Sequence, residues 1–354
     1  MSDKKPDAGA FSCPIPVSRF STIQLSHGAG GRLSADLINS LFVEIFDNPA
    51  LKKQDDQALL EIGGLKLSFT TDSFVVDPIF FPGGDIGDLA VNGTVNDLCM
   101  NGARPLYLSA GFIIEEGLPL DQLDQIVRSM KRAADIAGVQ IVTGDTKVVN
   151  KGKGDKLFIN TAGLGLIEHP YIISAGNLRV GDNVILSGSI ADHGIAILSK
   201  RQELNFKTEI ESDTAALNHL VAAMLEAGGE GIHAMRDPTR GGVAATLNEF
   251  ARTSKVGTKI RQDRIPVKEP VAGACELLGL DPLLVANEGK LVAVVANEFV
   301  ERVLTAMHAH PLGKDACVIG EVIVEQPGLV SMVTGIGGSR IVDLPEGEQL
   351  PRIC

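Results

Sequence analysis

The sequence predicts an α+β protein of two domains, and three observations carry this. Its 354 residues are about twice the length of an average domain. Strand-like and helix-like stretches come in mixed runs rather than in strict alternation, which favours α+β layers over a doubly wound sheet. His169-Pro170 and the turn Arg179-Val180-Gly181-Asp182 break the pattern near the middle of the chain. With 13 Phe, 2 Tyr and no Trp, the core must be built from aliphatic side chains. The 39 glycines exceed the average usage of ~7% and point to many tight turns and close backbone approaches.

The elements follow in order. Residues 1–20 form a disordered N-terminal extension, rich in Pro, Asp and Lys. Leu33, Leu37, Leu41 and Ile45 recur on one helical face behind the glycine loop Gly28–Gly31. Strands at Ala58–Ile62 and Leu65–Thr71 are joined by Gly63-Gly64, a two-residue hairpin signal. A helix over Ile86–Met100 is capped by Asp85 and stopped by Asn101-Gly102. Strand Leu106–Ile114, helix Pro119–Ala137, strand Val139–Thr143 and strand Leu157–Ile167 complete a first domain spanning 21–168. The second domain, 169–343, opens with strand Asn183–Gly188 and a helix starting near His193. It continues with helices near Asp213–Ala227, Gly242–Thr253, Val267–Leu278 and Glu298–His308, and strands Lys290–Val295, Val318–Val324 and Val330–Val333. Residues 344–354 (LPEGEQLPRIC) have no periodicity and are expected to form an exposed, mobile arm ending on a cysteine.

Composition narrows the function. Hydrophobic residues at 44% and charged residues at 21% exclude a disordered chain. A net charge of −12 excludes nucleic acid as a partner, since phosphates would be repelled. No run approaches the ~18 apolar residues of a membrane helix, so no membrane is expected. The five cysteines (Cys13, Cys99, Cys275, Cys317 and Cys354) are odd in number and form no CxxC pair, and the N-terminus has no apolar signal region. A reduced, cytoplasmic setting fits. There is no GxxxxGK[ST], HExxH or GxSxG string, which removes the P-loop, zincin and α/β-hydrolase readings.

What remains is a set of aspartates near element ends. Asp55-Asp56 precede the hairpin, Asp72 follows its second strand, Asp88 and Asp97 share a helix, and Asp145 closes a strand. Carboxylates that converge there repel one another unless a divalent cation such as magnesium sits among them, with phosphate oxygens completing its shell. Taken singly, each could instead cap a helix or turn. Gly28–Gly31 can present N–H groups to a phosphate or can be an ordinary turn. Arg240, just before a helix, can fork onto an anion, while Arg236-Asp237 reads as a local ion pair. Lys147 is a phosphate-binding charge or a solvated lysine, and Glu288 is a base in apolar surroundings or a turn residue. His193 reads as structural, and His308 and His310 end a helix.

Several strings together carry a resemblance: TTDSFVVDP from Thr70, GDxxVNGTVNDLxMxGARP from Gly87, TGDTK from Thr143, DHG from Asp192, DPTRGG from Asp237, NEGK from Asn287 and the terminal PRIC. From about Ser21 onward the chain resembles the HypE family of hydrogenase-maturation carbamoyl dehydratases. These belong to an ATP-using superfamily with aminoimidazole ribonucleotide synthetase (PurM), selenophosphate synthetase and thiamine-monophosphate kinase. The resemblance implies a two-domain PurM-like α+β architecture and a homodimer formed through the N-terminal sheets. It implies ATP and Mg2+ as cofactors, with nucleotide contacts from Gly30, Gly31, Thr71, Asp88, Asn92, Asn96, Lys147 and Arg240. It further implies metal ligation by Asp55, Asp56, Asp72, Asp97 and Asp145, and catalysis by Cys354, Lys147 and Glu288. Cys354 would accept a carbamoyl group from the carbamoyltransferase HypF, dehydrate it to a thiocyanate, and pass cyanide to iron on the HypC–HypD complex. A small-molecule kinase or synthetase of the same superfamily, and a scaffold whose terminal cysteine only docks a partner, are the competing readings.

Overall fold

The computed structural model describes residues 20–204, 209–344, 350 and 352–354; the expected extension over 1–19 lies outside these. Among the described residues no helix is long and apolar enough to cross a membrane. The N-terminal helix is α1 (Arg32–Leu37), a π-turn over Ile38–Val43, and α2 (Glu44–Phe46). The apolar face expected there is left bare, with Leu41 and Ile45 exposed.

Strands β1 (Ala58–Ile62) and β2 (Leu65–Phe74) form the hairpin, where Gly63 and Gly64 both have positive φ, as its tight turn requires. A short ribbon, β3 (Phe80–Phe81) and β4 (Gly84–Asp85), leads into α3 (Ile86–Cys99). Asp85 caps α3 by accepting the N–H of Gly87 at 2.7 Å, and Asp88 returns the bond by accepting the N–H of Asp85 at 3.2 Å. β5 (Arg104–Glu115), α4 (Leu120–Ala137), β6 (Gln140–Val149) and β7 (Leu157–Ile167) follow. The sheet order is β1-β2-β7-β5-β6, antiparallel except between β5 and β6, which α4 connects.

α3 packs on this sheet and against α4, and every α3 residue except Asp88 and Asp97 is buried. The opposite sheet face carries Phe69 directly across from Leu164, with Tyr107 next in the row; Phe69 and Tyr107 are exposed. β6 forms the sheet edge and is exposed from Gln140 to Val148.

The second sheet combines β8 (Asn183–Leu186), β9 (Ile232–Arg236), β10 (Gly257–Arg261), β11 (Val292–Val295), β12 (Cys317–Ile323), β13 (Val330–Val333) and β14 (Ser339–Val342), in the order β14-β13-β10-β12-β8-β11-β9. Helices α5 (Asp192–Arg201), α6 (Asn218–Gly228), α7 (Gly242–Ser254), α8 (Glu269–Leu278) and α9 (Val300–His308) complete this half. α6 also contacts α3, which ties the two halves together.

Two strands run further than their sequence suggests. β2 continues to Phe74 and β6 to Val149, so Asp72 and Asp145 stand within strands rather than past their ends. Asp145, expected to close its strand, registers opposite Gly111 in the parallel pairing with β5.

Candidate active site

Asp56 lies just before β1, Asp97 in the last turn of α3, and Asp237 just past β9. The fold brings one carboxylate oxygen from each within 4.8 Å of the others. The Thr70 hydroxyl, on β2, lies 2.9 Å from Asp97 Oδ2. Burial and the neighbouring Asp237 and Asp56 charges push the Asp97 carboxyl well above the usual range. Burial raises Asp56 against the opposing Arg236 guanidinium, and burial brings Asp237 up to about 7. Three carboxylates, one buried and two half-buried, with one guanidinium among them are short of positive charge, and their hard oxygens suit a divalent cation.

Asp237 is the member that the sequence does not single out. Its expected partner Arg236 instead places Nε 2.8 Å from Asp56 Oδ1 and pairs with Glu249. The available signal was DPTRGG at a strand end ahead of α7, where Asp237 is the first residue.

Asp72 is next to this group: its charge is one cause of the raised Asp97, Asp237 and Glu288 carboxyls, and Arg240 opposes the burial that raises its own. Arg240 donates from Nη1 to the Gly28 carbonyl at 3.2 Å. Gly30 has φ +75, and a Cβ there would stand 2.6 Å from the Arg240 carbonyl oxygen, so only glycine allows this approach. The glycine loop and DPTRGG therefore form one wall; Gly31 is the residue just before α1, at its N-cap.

Glu288 is 2% exposed, and its Oε1 has no hydrogen-bond partner among the described residues. Burial, then the Asp237 and Asp72 charges, raise its carboxyl well above the usual range. Its backbone is held at both ends. The N–H donates to Asp213 Oδ1 at 3.1 Å, and the carbonyl accepts Asn96 Nδ2 at 3.1 Å. Asp213 is in turn fixed by Lys290 at 3.1 Å, whose charge keeps its carboxyl low despite burial.

Of the expected arm, the described end is docked: Leu350 and Ile353 pack on the core, and the terminal carboxylate of Cys354 accepts the Val75 N–H at 2.9 Å. Arg352 pairs with Asp77 at 2.6 Å and with Asp155. The arm docks because Leu350 and Ile353 are apolar anchors among polar neighbours, and residues 345–349 and 351 lie outside the described ones. Docking brings the Cys354 thiol within the electrostatic reach of Arg240, Glu288, Asp72 and Asp237, and burial raises its pKa.

Other expected site residues fall elsewhere. Asp55, expected among the metal ligands, is beside Asp56, and its carboxylate accepts from Ser174 Oγ at 2.8 Å and the Ala175 N–H at 3.2 Å, which joins the two halves of the chain. Asp88 closes the cap of α3, nine residues and about 13 Å of helix from Asp97, and is raised to about 7 by burial and by Asp85. Asn96 has its amide taken up by Ala215, Glu288 and Leu217, and so is committed to holding the second half of the chain. Asn92 bonds Thr214 Oγ1 at 3.1 Å, and the Thr71 hydroxyl donates to the Thr161 carbonyl at 3.1 Å. Asp145 and Lys147 pair with each other at 2.6 Å on exposed β6, where Lys147 holds the Asp145 carboxyl low. Within one chain they do not join the acidic group.

Residues 54–167 match the family model described as AIR synthase related protein, N-terminal domain, and residues 179–331 match its C-terminal domain. The chain is 57% identical over 336 residues to the carbamoyl dehydratase HypE of Bradyrhizobium diazoefficiens, covering 95% of this chain and 97% of that protein. A crystal structure of a HypE–HypF complex is similar with a TM-score of 0.84 at 52% identity, covering 87% of this chain and 99% of that one. A structure of HypE in complex with ATP is similar with a TM-score of 0.79 at 50% identity, covering 94% of this chain and 100% of that one.

Proposed function

From the premise that the chain belongs to the AIR synthase related proteins and, among them, to the carbamoyl dehydratase HypE family, we propose that it uses ATP to dehydrate a carbamoyl group carried on Cys354. The observation that carries the reading is the docked thiol in the electrostatic reach of Arg240 and of Glu288, whose Oε1 has no hydrogen-bond partner among the described residues. An amide oxygen is a poor leaving group. Transfer of the γ-phosphoryl to the thiocarboxamide oxygen, with release of ADP, makes it a good one. Loss of both N–H protons and departure of phosphate then leave a C≡N bond on the sulfur, so ATP takes up the elements of water. Glu288, with a raised pKa and an Oε1 that has no hydrogen-bond partner among the described residues, is placed to take a proton from the nitrogen. Arg240 and the glycine loop offer a cation and N–H groups to phosphate.

Asp56, Asp97 and Asp237, with Asp72 beside them, are the residues that would hold Mg2+. When bound, the ion neutralises phosphate charge.

The homodimer belongs to the same proposal. Phe69 and Tyr107 make the open sheet face apolar, and β6 is an unpaired edge bearing Ile141, Val142 and Val148, a surface that a second copy would cover. Pairing there would also carry Asp145 and Lys147 toward a nucleotide, with Lys147 meeting the transferring phosphoryl. We assign carbamoyl delivery to HypF, in line with the similar HypE–HypF complex, and cyanide acceptance to HypC–HypD. The cytoplasm suits these steps, because the four described cysteines are free.

ADP release per carbamoyl group delivered tests the reading. One ADP for each group is expected, and ADP formed at the same rate without HypF and carbamoyl phosphate would favour a kinase of a free acceptor.

A further inference from the structure

The Asp192-His193-Gly194 string takes no part in the chemistry above, yet it is built around the tail. His193 lies in the first turn of α5 and is fully buried. Its Nε2 is 2.5 Å from the Ile353 carbonyl oxygen, and its Nδ1 is 2.7 Å from Ser212 Oγ. A carbonyl only accepts, so the ring proton sits on Nε2 and the Ser212 hydroxyl donates to Nδ1. Ser212 is itself fixed: its N–H donates to the Pro82 carbonyl at 2.8 Å and its Oγ accepts the Thr214 N–H at 3.1 Å. The Phe81 ring stands edge-on to the imidazole, with centroids 5.6 Å apart. One residue on, a Cβ at Gly194 would come 3.1 Å from Leu350 Cδ1 and 2.5 Å from Val285 Cγ1, so glycine leaves room for the tail. At the far end of α5, Arg201 donates to the Arg352 carbonyl at 2.5 Å.

We propose that His193, with its tautomer set by Ser212, seats the carrier tail by gripping the carbonyl one residue before Cys354. The seat recognises a peptide end: the penultimate carbonyl bonds His193, and the Ile353 side chain enters the core beside it. Only one residue separates this bond from the thiol, so it removes most of the freedom an arm of this length leaves at its tip. His193 is a positioning residue, since it touches no reacting atom. The inference rests on Cys354 being the carrier, but its test does not require dehydration to occur.

The test is alkylation of Cys354 in the full chain by iodoacetamide, read as the mass of the C-terminal peptide, with the urea-unfolded protein as the fully exposed limit. His193→Leu should speed alkylation about ten-fold or more, while His193→Gln, whose amide nitrogen can replace Nε2–H, should restore protection. Ser212→Ala should act in the same direction by about three-fold, and decides the matter if His193→Leu does not fold. ATP affinity, measured by calorimetry, should be unchanged in Ser212→Ala. Wild-type protection that equals the unfolded limit, or Ser212→Ala alkylated at the wild-type rate, overturns the seat. Failure of the wild-type protein to dehydrate a carbamoyl group while Cys354 stays protected would overturn the functional reading instead.

Discussion

The backbone N–H of Val75 donates to the terminal carboxylate of Cys354 at 2.9 Å, so the chain end is held at the residue that follows the strand carrying Asp72. An added residue turns that carboxylate into an amide and puts new chain where the thiol now lies. Three residues appended after Cys354 should therefore lower dehydration at least about ten-fold with ATP affinity unchanged, read by thiocyanate yield and calorimetry. Full activity in the extended chain would contradict the docked geometry.

Removing one carboxylate from the acidic group should weaken Mg-ATP binding. Asp97→Asn and Asp237→Asn are each expected to lose about ten-fold or more in affinity, because a neutral amide replaces a charged ligand of a hard cation. Asp55→Asn should not, since Asp55 is engaged with Ser174 and Ala175. Equal calorimetric affinities for all three variants would remove the metal assignment.

The same carboxylates make metal-free stability fall as pH rises. Asp237 holds its proton up to about 7 in the folded chain, whereas an unfolded Asp releases it near about 4. Across that window the folded state binds more protons, so ionisation costs folding stability, and the full cost is present above it. With EDTA present, Asp237→Asn should melt higher than the wild type by a margin that widens from about pH 5 to about pH 8. Added Mg2+ should reverse the order. Parallel melting curves in EDTA would show that the repulsion is absent.

Lys147 and Glu288 should complement each other between subunits. Lys147 stands on the exposed edge strand β6, while Glu288 is buried beside the acidic group. Lys147→Ala and Glu288→Gln should each be inactive alone. Mixed dimers refolded at equal ratio would carry one intact site each, and about a quarter of wild-type dehydration should return. No recovery in mixed dimers proven by mass would place Lys147 outside the site.

What the sequence discloses depends on distance along the chain. The cap at Asp85 and Asp88 and the turn at Gly63-Gly64 are local, and both are legible from residue type alone. β9 is not. All five of its residues are buried, but His233 and Arg236 hide the strand pattern because their polar groups are met from elsewhere, by Asp182 at 2.7 Å and by Asp56 at 2.8 Å. The acidic group was half legible: Asp56 and Asp97 stand out, while Asp237 joins only once β9 is in place. The tail misleads for a similar reason. A bond that holds its described end, from His193 to Ile353, spans 160 residues.

The carrier role of Cys354 is tested most directly by intact mass after incubation with HypF, carbamoyl phosphate and ATP. The account predicts one carbamoyl adduct, mapped to Cys354, that loses the mass of a single water only when ATP is present. The adduct should be absent in Cys354→Ala, whose ATP affinity should be normal. An adduct on Cys354→Ala, or one on the wild-type cysteine that ATP leaves unaltered, would contradict it.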